Sequence, residues 1–410
     1  MRHVIIGNGV AAISAAETIQ ALDPAAAVTL LSREDGPPYC RPMISLALQG
    51  TASFDDLPIR PPTYYQDRGF TFLGGSTAVE LDLDRQRVRT SRGEDLPYDR
   101  LLLASGADPR PLKAPGADLP GVFAMRDAAD VRGMLEALPA AKQALVLGGG
   151  LVGFKAAYGL LHRGLKVTML IASSHPLVMQ VDPRAGALIR DELEKNGLEV
   201  RVGVEVTALE AVRSRVALAR LSDGGSLATD LVVVGKGVSP AISYLDRERI
   251  KVDLGVVVDE HLQTTAPGVY AAGDLAEHTD VARQRPWVNA IWPVAVEQGR
   301  LAGANMAGRP VAYRGSLGRN VIRVFGRDVL TAGLVNPAAD DICQTLEDED
   351  PRRGWYRRLV FQGDTLVGLA LVGGIEQGGV LMNLIQSRLP VSGDKARLLE
   401  PGFNFASLGA

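Results

Sequence analysis

Two stretches of the chain share one pattern of hydrophobic and polar positions. Residues 4–6 and 144–147 are short apolar runs, and each is followed by closely spaced glycines and a small, apolar segment of helical length. A buried strand, a tight turn and a helix produce this order. Another apolar run follows each helix, the first ending at Glu34 and the second covering 166–171. The pattern predicts two strand–helix–strand units.

The glycines of both units follow the spacing that binds dinucleotides. The first glycine permits a tight turn, the second lets a diphosphate approach the backbone, and the third small residue brings helix and strand together. These positions are Gly7, Gly9 and Ala12 in the first unit, and Gly148, Gly150 and Gly153 in the second. The two motifs begin 141 residues apart, which favours two separate domains. Two dinucleotides in one chain imply electron transfer between them, typically between a flavin and a nicotinamide.

The ends of the second strands indicate which nucleotide each unit binds. Glu34 lies 27 residues after Gly7, where an acid holds a ribose hydroxyl pair, although a solvated strand-end charge would look the same. In the second unit Ile171 takes the equivalent place, 23 residues after Gly148. No Arg or Lys lies between 171 and 180, and Gly153 is typical of NAD sites. We expect NAD there, with NADP not excluded, and His175 suits either nucleotide.

Composition limits the remaining possibilities. A chain of 410 residues predicts two or three domains, and 45 glycines indicate many tight turns. A net charge of −3 without a basic run argues against nucleic acid and acidic membrane surfaces. Cys40 and Cys343 are too few for a disulfide framework or an internal iron–sulfur cluster, so no metal site is expected. No apolar stretch has the length of a membrane span, and a cytoplasmic protein is expected.

Three further segments fit the two-domain arrangement. Residues 98–112 and 229–245 each run from an apolar strand into a turn, and each is expected to carry the chain between the nucleotide domains. The first contains Ser105 and Gly106 in its turn, and both are expected to bind the flavin nucleotide. Residues 264–277 place Gly273 and Asp274 after a strand of small residues, where the acid is suited to bond a ribityl hydroxyl of an extended flavin.

In combination and order, these motifs resemble the pyridine nucleotide–disulfide oxidoreductase superfamily, in its rubredoxin/ferredoxin reductase-like and nitrite reductase-like branch. The matching segments are PYCRPMIS, LLLASGADPR, VVVGKGVSP, VYAAGDLA and WPVAVEQGRLAGANMAG, besides both glycine motifs. The resemblance implies an α/β fold with two Rossmann-like domains. It assigns FAD to 1–110 with 238–308 and NAD to 111–237. Residues 309–410 would form a C-terminal α+β interface domain that covers the flavin.

The loop around Cys40 does not carry the redox cysteine of disulfide-handling relatives. Aligned on the following helix, that cysteine falls on Pro42, and a two-residue offset on an extended loop moves a sulfur by about 6 to 7 Å. We therefore expect a structural Cys40 rather than a catalytic one. Arg41 is expected to hold flavin or partner, or else to form an ordinary loop salt bridge. Pro42 is expected to fix the backbone against the flavin ring.

Two departures from the family pattern affect the mechanism. Leu46 stands where relatives often have a lysine near the flavin, and Lys155 stands where they often have a glutamate. Hydride transfer needs stacking and alignment rather than a protein acid or base, so activity is not excluded. Lys155 either stabilises an anionic reduced flavin or is a solvent-facing helix residue.

The leading functional hypothesis is an FAD-dependent NAD(P)H oxidoreductase that exchanges electrons with a separate carrier. Rubredoxin, ferredoxin or an iron–sulfur subunit of a larger complex would be that partner, in either direction of electron flow. Some anaerobic multi-subunit enzymes contain a flavin subunit similar to this chain, and homo- or hetero-oligomers are expected. The alternatives are an NADH oxidase or peroxidase, and a flavin-bound interaction protein without turnover.

Overall fold

The computed structural model describes residues 1–400 together with 402 and 403. Its helices are α1 Val10–Leu22, α2 Ile44–Gln49, α3 Tyr64–Arg68, α4 Ala128–Ala137, α5 Leu151–His162, α6 Pro183–Lys195, α7 Trp292–Met306 and α8 Gly378–Ser387. The strands up to residue 109 are β1 Arg2–Ile6, β2 Ala27–Ser32, β3 Thr71–Gly74, β4 Ala78–Asp82, β5 Arg87–Thr90, β6 Asp95–Pro97, β7 Arg100–Leu103 and β8 Ala107–Pro109.

The remaining strands follow in three groups. In the middle of the chain they are β9 Val122–Phe123, β10 Gln143–Leu147, β11 Lys166–Ile171, β12 Glu199–Val202, β13 Val206–Val212, β14 Arg215–Leu221, β15 Ser226–Ala228 and β16 Leu231–Val234. Next come β17 Val238–Pro240, β18 Val256–Val257, β19 Val269–Ala271, β20 Ala276–Asp280 and β21 Arg285–Trp287. The last are β22 Arg319–Val324, β23 Arg327–Gly333, β24 Gln344–Asp350, β25 Trp355–Gln362 and β26 Thr365–Val372.

The first predicted unit forms a parallel sheet with strand order β19-β7-β1-β2-β3. Its central strands are apolar and almost completely buried, as strands covered on both faces must be. The expectation that β2 ends at Glu34 is wrong, because β2 ends at Ser32. The Ser32 hydroxyl accepts a hydrogen bond from the Glu34 amide at 3.1 Å, which turns the chain away from the sheet.

The second predicted unit forms a parallel sheet of the same kind, with strand order β12-β11-β10-β16-β9. Helix α5 connects β10 to β11, as α1 connects β1 to β2. The predicted α/β fold with two Rossmann-like sheets is therefore confirmed.

The two predicted connecting segments lie side by side. Strands β8 and β17 pair antiparallel, with Ala107 opposite Pro240 and Pro109 opposite Val238. After β17 the chain returns to the first sheet and adds β19 at its edge. The first sheet thus contains strands that precede the second unit in the sequence and one strand, β19, that follows it. The exact domain boundaries near residues 110, 237 and 308 stay predictions.

The C-terminal part forms an antiparallel sheet with strand order β22-β23-β26-β25-β24, covered by α8. It packs against the second unit: the rings of Phe325 and Tyr158 lie 5.0 Å apart. The Tyr356 hydroxyl donates a 3.0 Å hydrogen bond to Asp182, the residue that also caps α6. The predicted α+β character of this region is confirmed.

Helix α7 packs closely on α1 because the contact consists of small residues. A Cβ at Gly299 would lie 2.3 Å from the Ala11 carbonyl oxygen, and one at Gly303 would lie 2.6 Å from that of Ala15. Only glycine permits this approach. The packing places the N-terminus of α7 beside the carboxyl ends of the first sheet.

The first sheet also contains a buried histidine, and this predicts a pH-dependent stability. His3 is 1% exposed, and both its ring nitrogens lack a hydrogen-bond partner among the described residues. Burial, more than the nearby charges, lowers the pKa of His3 to about 4. The unfolded chain takes up a proton at a higher pH, near the ordinary pKa of about 6.5. The free energy of unfolding should therefore fall as the pH drops from about 6.5 to about 4.

We expect His3→Leu to remove this dependence. The melting temperature of the variant should rise relative to the parent as the pH is lowered from about 7 to about 5. Calorimetry of both proteins at both pH values measures the difference. His162→Leu, at an exposed position, is the matched control and should follow the parent. A constant difference between His3→Leu and the parent across this range would contradict the assignment.

Candidate functional site

A cavity of about 980 Å³ opens at the carboxyl ends of the first sheet. Its walls include the segments that directly follow β1, β2, β7 and β19, which lie at one edge because the strands are parallel. Ligands of doubly wound α/β folds bind at this edge. The cavity extends past the N-terminus of α7 to the second unit and the C-terminal sheet.

The first glycine loop forms one end of the cavity. Gly7 has φ +134°, and a Cβ there would lie 2.1 Å from the Ala104 carbonyl oxygen, so the turn requires glycine. At Gly9 a Cβ would meet nothing within 4 Å, which leaves the backbone open to a ligand. Ala12 is completely buried where α1 meets the sheet.

The N-terminus of α1 is prepared for an anion. Gly9 is its N-cap, no side chain caps it, and its first turn has no acidic residue. The first amides of the helix therefore keep their hydrogen-bonding capacity, and the helix dipole adds partial positive charge. This arrangement suits the diphosphate of a dinucleotide.

Glu34 lines the cavity, but it also belongs to a hydrogen-bonded cluster. It accepts hydrogen bonds from the Tyr39 hydroxyl at 2.6 Å and from Arg41 Nη2 at 2.5 Å. Burial alone would raise the pKa of Glu34, but Arg41 and Tyr39 hold it below its usual value. A carboxylate has about four acceptor positions, so Glu34 keeps the capacity to accept ribose hydroxyls. Arg41 thus forms a loop salt bridge with Glu34, as one of the two expectations for this residue stated. It also lines the cavity, so the other expectation, contact with flavin or partner, stays a prediction.

Asp274 lines the cavity after Gly273, which has φ +85°. Its carboxylate accepts a 3.0 Å hydrogen bond from Arg126 Nη2. The Nε atom of Arg126 is buried and has no partner among the described residues. A buried guanidinium nitrogen without a partner is costly, so the pair is suited to receive a polar ligand group.

The sequence reasoning missed Arg126 and the pair of Arg33 and Asp108. Arg33 Nη1 donates to Asp108 at 2.5 Å, and both residues line the cavity. These side chains are far apart along the chain. The one local signal for Arg126 is its place directly before the helix-capping box at Asp127.

Ser105 serves mainly to fix the turn at the cavity wall. Its hydroxyl donates to the Ala241 carbonyl at 2.7 Å and lies 2.9 Å from the Tyr244 hydroxyl. Gly106 has φ +74°, a conformation that favours glycine. A Cβ built on Gly106 would lie 3.3 Å from Arg126 Nη2, so the absence of a side chain leaves room for Arg126. Both predicted residues line the cavity, with Ser105 connecting two chain segments.

The loop around Cys40 contributes Pro42, rather than the cysteine, to the cavity wall. Burial raises the pKa of the Cys40 thiol, which disfavours the reactive thiolate. Helix α2 follows, and Arg163 donates to the carbonyl groups of Leu48 at 2.7 Å and Ala47 at 3.1 Å. These bonds tie the loop to the second unit. The placement supports a structural Cys40.

Lys155 also lines the cavity, from the second unit. The side chain is half-buried, which favours a role at the cavity over a solvent-facing helix residue, and that role stays a prediction. Burial lowers the pKa of the Lys155 ammonium, and the nearby Cys40 thiol opposes that shift. Leu46, on α2, is 38% exposed and lies outside the residues that line the cavity.

The second glycine loop repeats the geometry of the first. Gly148 has φ +113°, and a Cβ there would lie 2.4 Å from the Gly235 carbonyl oxygen. A Cβ at Gly153 would lie 2.0 Å from the Gly148 carbonyl oxygen, whereas Gly150 faces open space as the N-cap of α5. This loop therefore also suits a diphosphate, although the large cavity reaches the second unit through other residues, among them Val152 and Lys155.

Ile171 ends β11 and is buried against the second loop. Its side chain would lie 2.7 Å from a Cβ at Gly149. His175 is also buried, with Nδ1 3.0 Å from the Pro176 carbonyl oxygen. Lys236, next to this loop, forms a 2.8 Å ion pair with Glu205.

The far wall of the cavity comes from α7 and the C-terminal sheet. Helix α7 begins at Trp292 without a side-chain cap or an acid in its first turn, so its positive end is open. Arg319, Asn320 and Val321 of β22 complete this wall. Val321 is 62% exposed, so the cavity reaches the protein surface here.

Within residues 1–400, 402 and 403, no group of three or more His, Cys, Asp or Glu side chains is placed to hold a metal ion. No helix in this part of the chain has the length and apolar character needed to cross a membrane.

Family comparisons match nearly the whole chain. The family described as Pyridine nucleotide-disulphide oxidoreductase matches residues 1–299. The family described as Rubredoxin NAD+ reductase C-terminal domain matches residues 319–389.

Individual relatives differ in length. The assimilatory nitrate reductase electron transfer subunit of Bacillus subtilis is 31% identical over 98% of this chain, which spans only 51% of that protein. Subunit epsilon of the NADH-dependent phenylglyoxylate dehydrogenase of Aromatoleum evansii is 29% identical, over 97% of this chain and 94% of that one. Among solved structures, the covalent putidaredoxin reductase–putidaredoxin complex superposes with a TM-score of 0.89 at 26% identity. The match covers 100% of this chain and 99% of that one.

Proposed function

We propose, because this chain belongs to the pyridine nucleotide-disulphide oxidoreductase family, that it transfers electrons between NAD(H) and a separate iron–sulfur protein. Family membership implies FAD and NAD(H) as cofactors. The observation that carries the proposal is the cavity itself, which runs from the first phosphate loop to the helix of the second loop. A cofactor placed there would contact both nucleotide units.

The cavity residues fit FAD. Its diphosphate would lie at Gly9 and the α1 N-terminus, and Glu34 would accept the hydroxyls of the adenosine ribose. Asp274, held by Arg126, would accept a ribityl hydroxyl. When bound, FAD accepts two electrons as a hydride and can release them singly.

The protein contributes position and electrostatics to this reaction. Pro42, Lys155 and Trp292, the last at the start of α7, all line the cavity. The open N-terminus of α7 would stabilise negative charge on the flavin. NAD(H) would bind with its diphosphate at Gly150 and the start of α5.

Electrons would leave where the cavity reaches the surface at Val321. Cys40 does not line the cavity, so no sulfur relay is available there, and a protein carrier must dock near this opening. Rubredoxin, ferredoxin or an iron–sulfur subunit of a larger complex has the required chemistry. The putidaredoxin complex supports a separate protein partner, and the phenylglyoxylate dehydrogenase subunit supports membership of a larger complex. We place the reaction in the cytoplasm.

Two alternatives are weaker. An NADH oxidase or peroxidase that works through a cysteine would need a reactive thiol at the flavin. In this chain Pro42 stands at the aligned position of that cysteine and lines the cavity. A flavin-bound interaction protein without turnover would not need a second phosphate loop with the strict glycine geometry of Gly148 and Gly153.

Removing the proposed hydroxyl acceptors should weaken FAD binding. We expect Glu34→Ala and Asp274→Ala each to raise the Kd for FAD about 10- to 100-fold, because each loses a charged hydrogen-bond acceptor. Fluorescence titration of the apoprotein with FAD measures the Kd. Glu34→Gln, which keeps the shape of the side chain, should have an intermediate effect. Cys40→Ser is the control and should bind FAD as the parent does. An unchanged Kd in both alanine variants would disprove these assignments.

The second nucleotide site should prefer NADH to NADPH. Lys236, the lysine beside the loop, is paired with Glu205, and no Arg or Lys lies between 171 and 180 to bind a 2′-phosphate. Ile171 offers no carboxylate that would repel this phosphate, so we expect a preference of only about tenfold in kcat/KM, or 1.4 kcal/mol. Steady-state kinetics with both nucleotides measures the ratio. A higher kcat/KM for NADPH would overturn the proposal.

The reduced protein should transfer electrons rapidly to an iron–sulfur carrier and slowly to oxygen. We expect Val321→Asp to slow the carrier reaction about tenfold, because a buried charge at the interface is unfavourable. Ferricyanide reduction should be unaffected. Stopped-flow mixing after anaerobic reduction with NADH gives all three rates, and Val212→Asp, at a site 63% exposed on β13, is the matched control. Rapid four-electron reduction of oxygen to water would favour the oxidase instead.

A further inference from the structure

The charged side chains of the cavity wall are mostly paired with one another. Three arginine–carboxylate pairs lie 2.5 to 3.0 Å apart: Arg33 with Asp108, Arg41 with Glu34, and Arg126 with Asp274. Three charged residues of the wall form no ion pair within residues 1–400, 402 and 403: Asp35, Lys155 and Arg319. Of these three, only Lys155 belongs to the second nucleotide unit.

The helix that carries Lys155 is fixed by packing against α2. It lies in the second turn of α5, and α2 packs on the same helix, with Leu48 3.0 Å from a Cβ built at Gly159. Its neighbours on the cavity wall include Val152, one turn earlier on α5. The packed helix therefore holds the Lys155 backbone at the cavity wall.

The protein itself does not compensate the charge of Lys155. The side chain is half-buried, burial lowers the pKa of the ammonium, and no carboxylate among the described residues pairs with it. The helix dipole gives no help, since a cation is favoured near the C-terminus of a helix rather than near its start. A partly buried charge without a partner is costly, so its natural counterpart is an anionic group of the ligand.

The two diphosphates are unsuitable counterparts, because the open helix N-termini at Gly9 and at Gly150 already accommodate them. The remaining candidate on FAD is the ring system. Hydride transfer moves two electrons and one proton from the nicotinamide C4 to flavin N5. It leaves a negative charge on the flavin ring and a positive charge on the nicotinamide.

We propose that the Lys155 ammonium serves as the counter-charge of the reduced flavin ring and thereby raises the reduction potential of bound FAD. Lys155 then acts on the flavin through its charge and donates no proton. The inference rests on the proposed binding of FAD in the cavity. The same positive charge disfavours the cationic, oxidised nicotinamide near the ring, so both effects favour hydride transfer from NADH to the flavin.

Sulfite is a direct probe of such a charge. It adds its electron pair to N5 of the oxidised flavin, and the adduct carries negative charge on the ring without any further oxidant or reductant. We expect Lys155→Met to bind sulfite at least about tenfold more weakly than the parent. The midpoint potential of bound FAD should fall by about 30 mV or more, which is tenfold for a two-electron couple.

Matched variants separate the charge from other effects. Lys155→Arg should restore most of the sulfite affinity and of the potential, since it keeps a cation at this place. Lys166→Met, at an exposed lysine of the same unit, is the control and should match the parent in both measurements. Absorbance titration with sulfite and redox titration with a reference dye supply the two values for each protein.

The outcomes distinguish this inference from the proposed function. If the parent binds FAD but Lys155→Met keeps its potential and sulfite affinity, the role of Lys155 is disproved and the proposed function stands. If Lys155→Met changes only the Kd for NADH, the counterpart is the nicotinamide nucleotide and the inference is wrong. If the parent binds no FAD, both fail. Should Lys155→Met lose its FAD, Lys155→Gln undergoes the same measurements and decides.

Discussion

The structure depends on the close approach of backbone to backbone at the two glycine loops. Side chains at Gly7 and Gly148 would come within 2.1 and 2.4 Å of the carbonyl oxygens of Ala104 and Gly235. This approach lets each helix begin directly above the carboxyl edge of its sheet. The positive ends of α1 and α5 then face open space that suits phosphate groups. Glycines also permit the close packing of α7 on α1, at Gly299 and Gly303. This packing brings a third helix N-terminus to the cavity.

The cavity holds its charged groups in place before any ligand binds. Arg126 orients Asp274, and Arg41 together with Tyr39 orients Glu34. Such prior pairing lowers the cost of arranging these side chains around a cofactor, because their conformational entropy is already lost. It also favours the ionised form of Glu34, since Arg41 and Tyr39 hold the pKa of this carboxyl low in spite of its burial.

The sequence was sufficient for features that depend on neighbouring residues. The glycine spacing and apolar runs predicted both sheets and the positions of Gly273 and Asp274, because strand, turn and helix are encoded within about 30 residues. It was insufficient for pairs between distant segments. Arg126 meets Asp274 across 148 positions, and Arg33 meets Asp108 across 75. No local pattern reveals such partners. The end of β2 at Ser32 was predicted two residues too late because of one local contact. The Glu34 amide donates a hydrogen bond to the Ser32 hydroxyl and turns the chain.

The placement of cations around the cavity bears on the direction of electron flow. Arg33, Arg41 and Arg126 are neutralised by carboxylates, so their field at the flavin end is weak. Lys155 and Arg319 form no ion pair within the described residues, and Leu46 on the facing helix contributes no charge. A fixed positive charge stabilises the state in which the flavin carries the electrons and destabilises the state in which the nicotinamide is cationic. With FAD bound as proposed, this charge arrangement favours NADH oxidation over NADH formation.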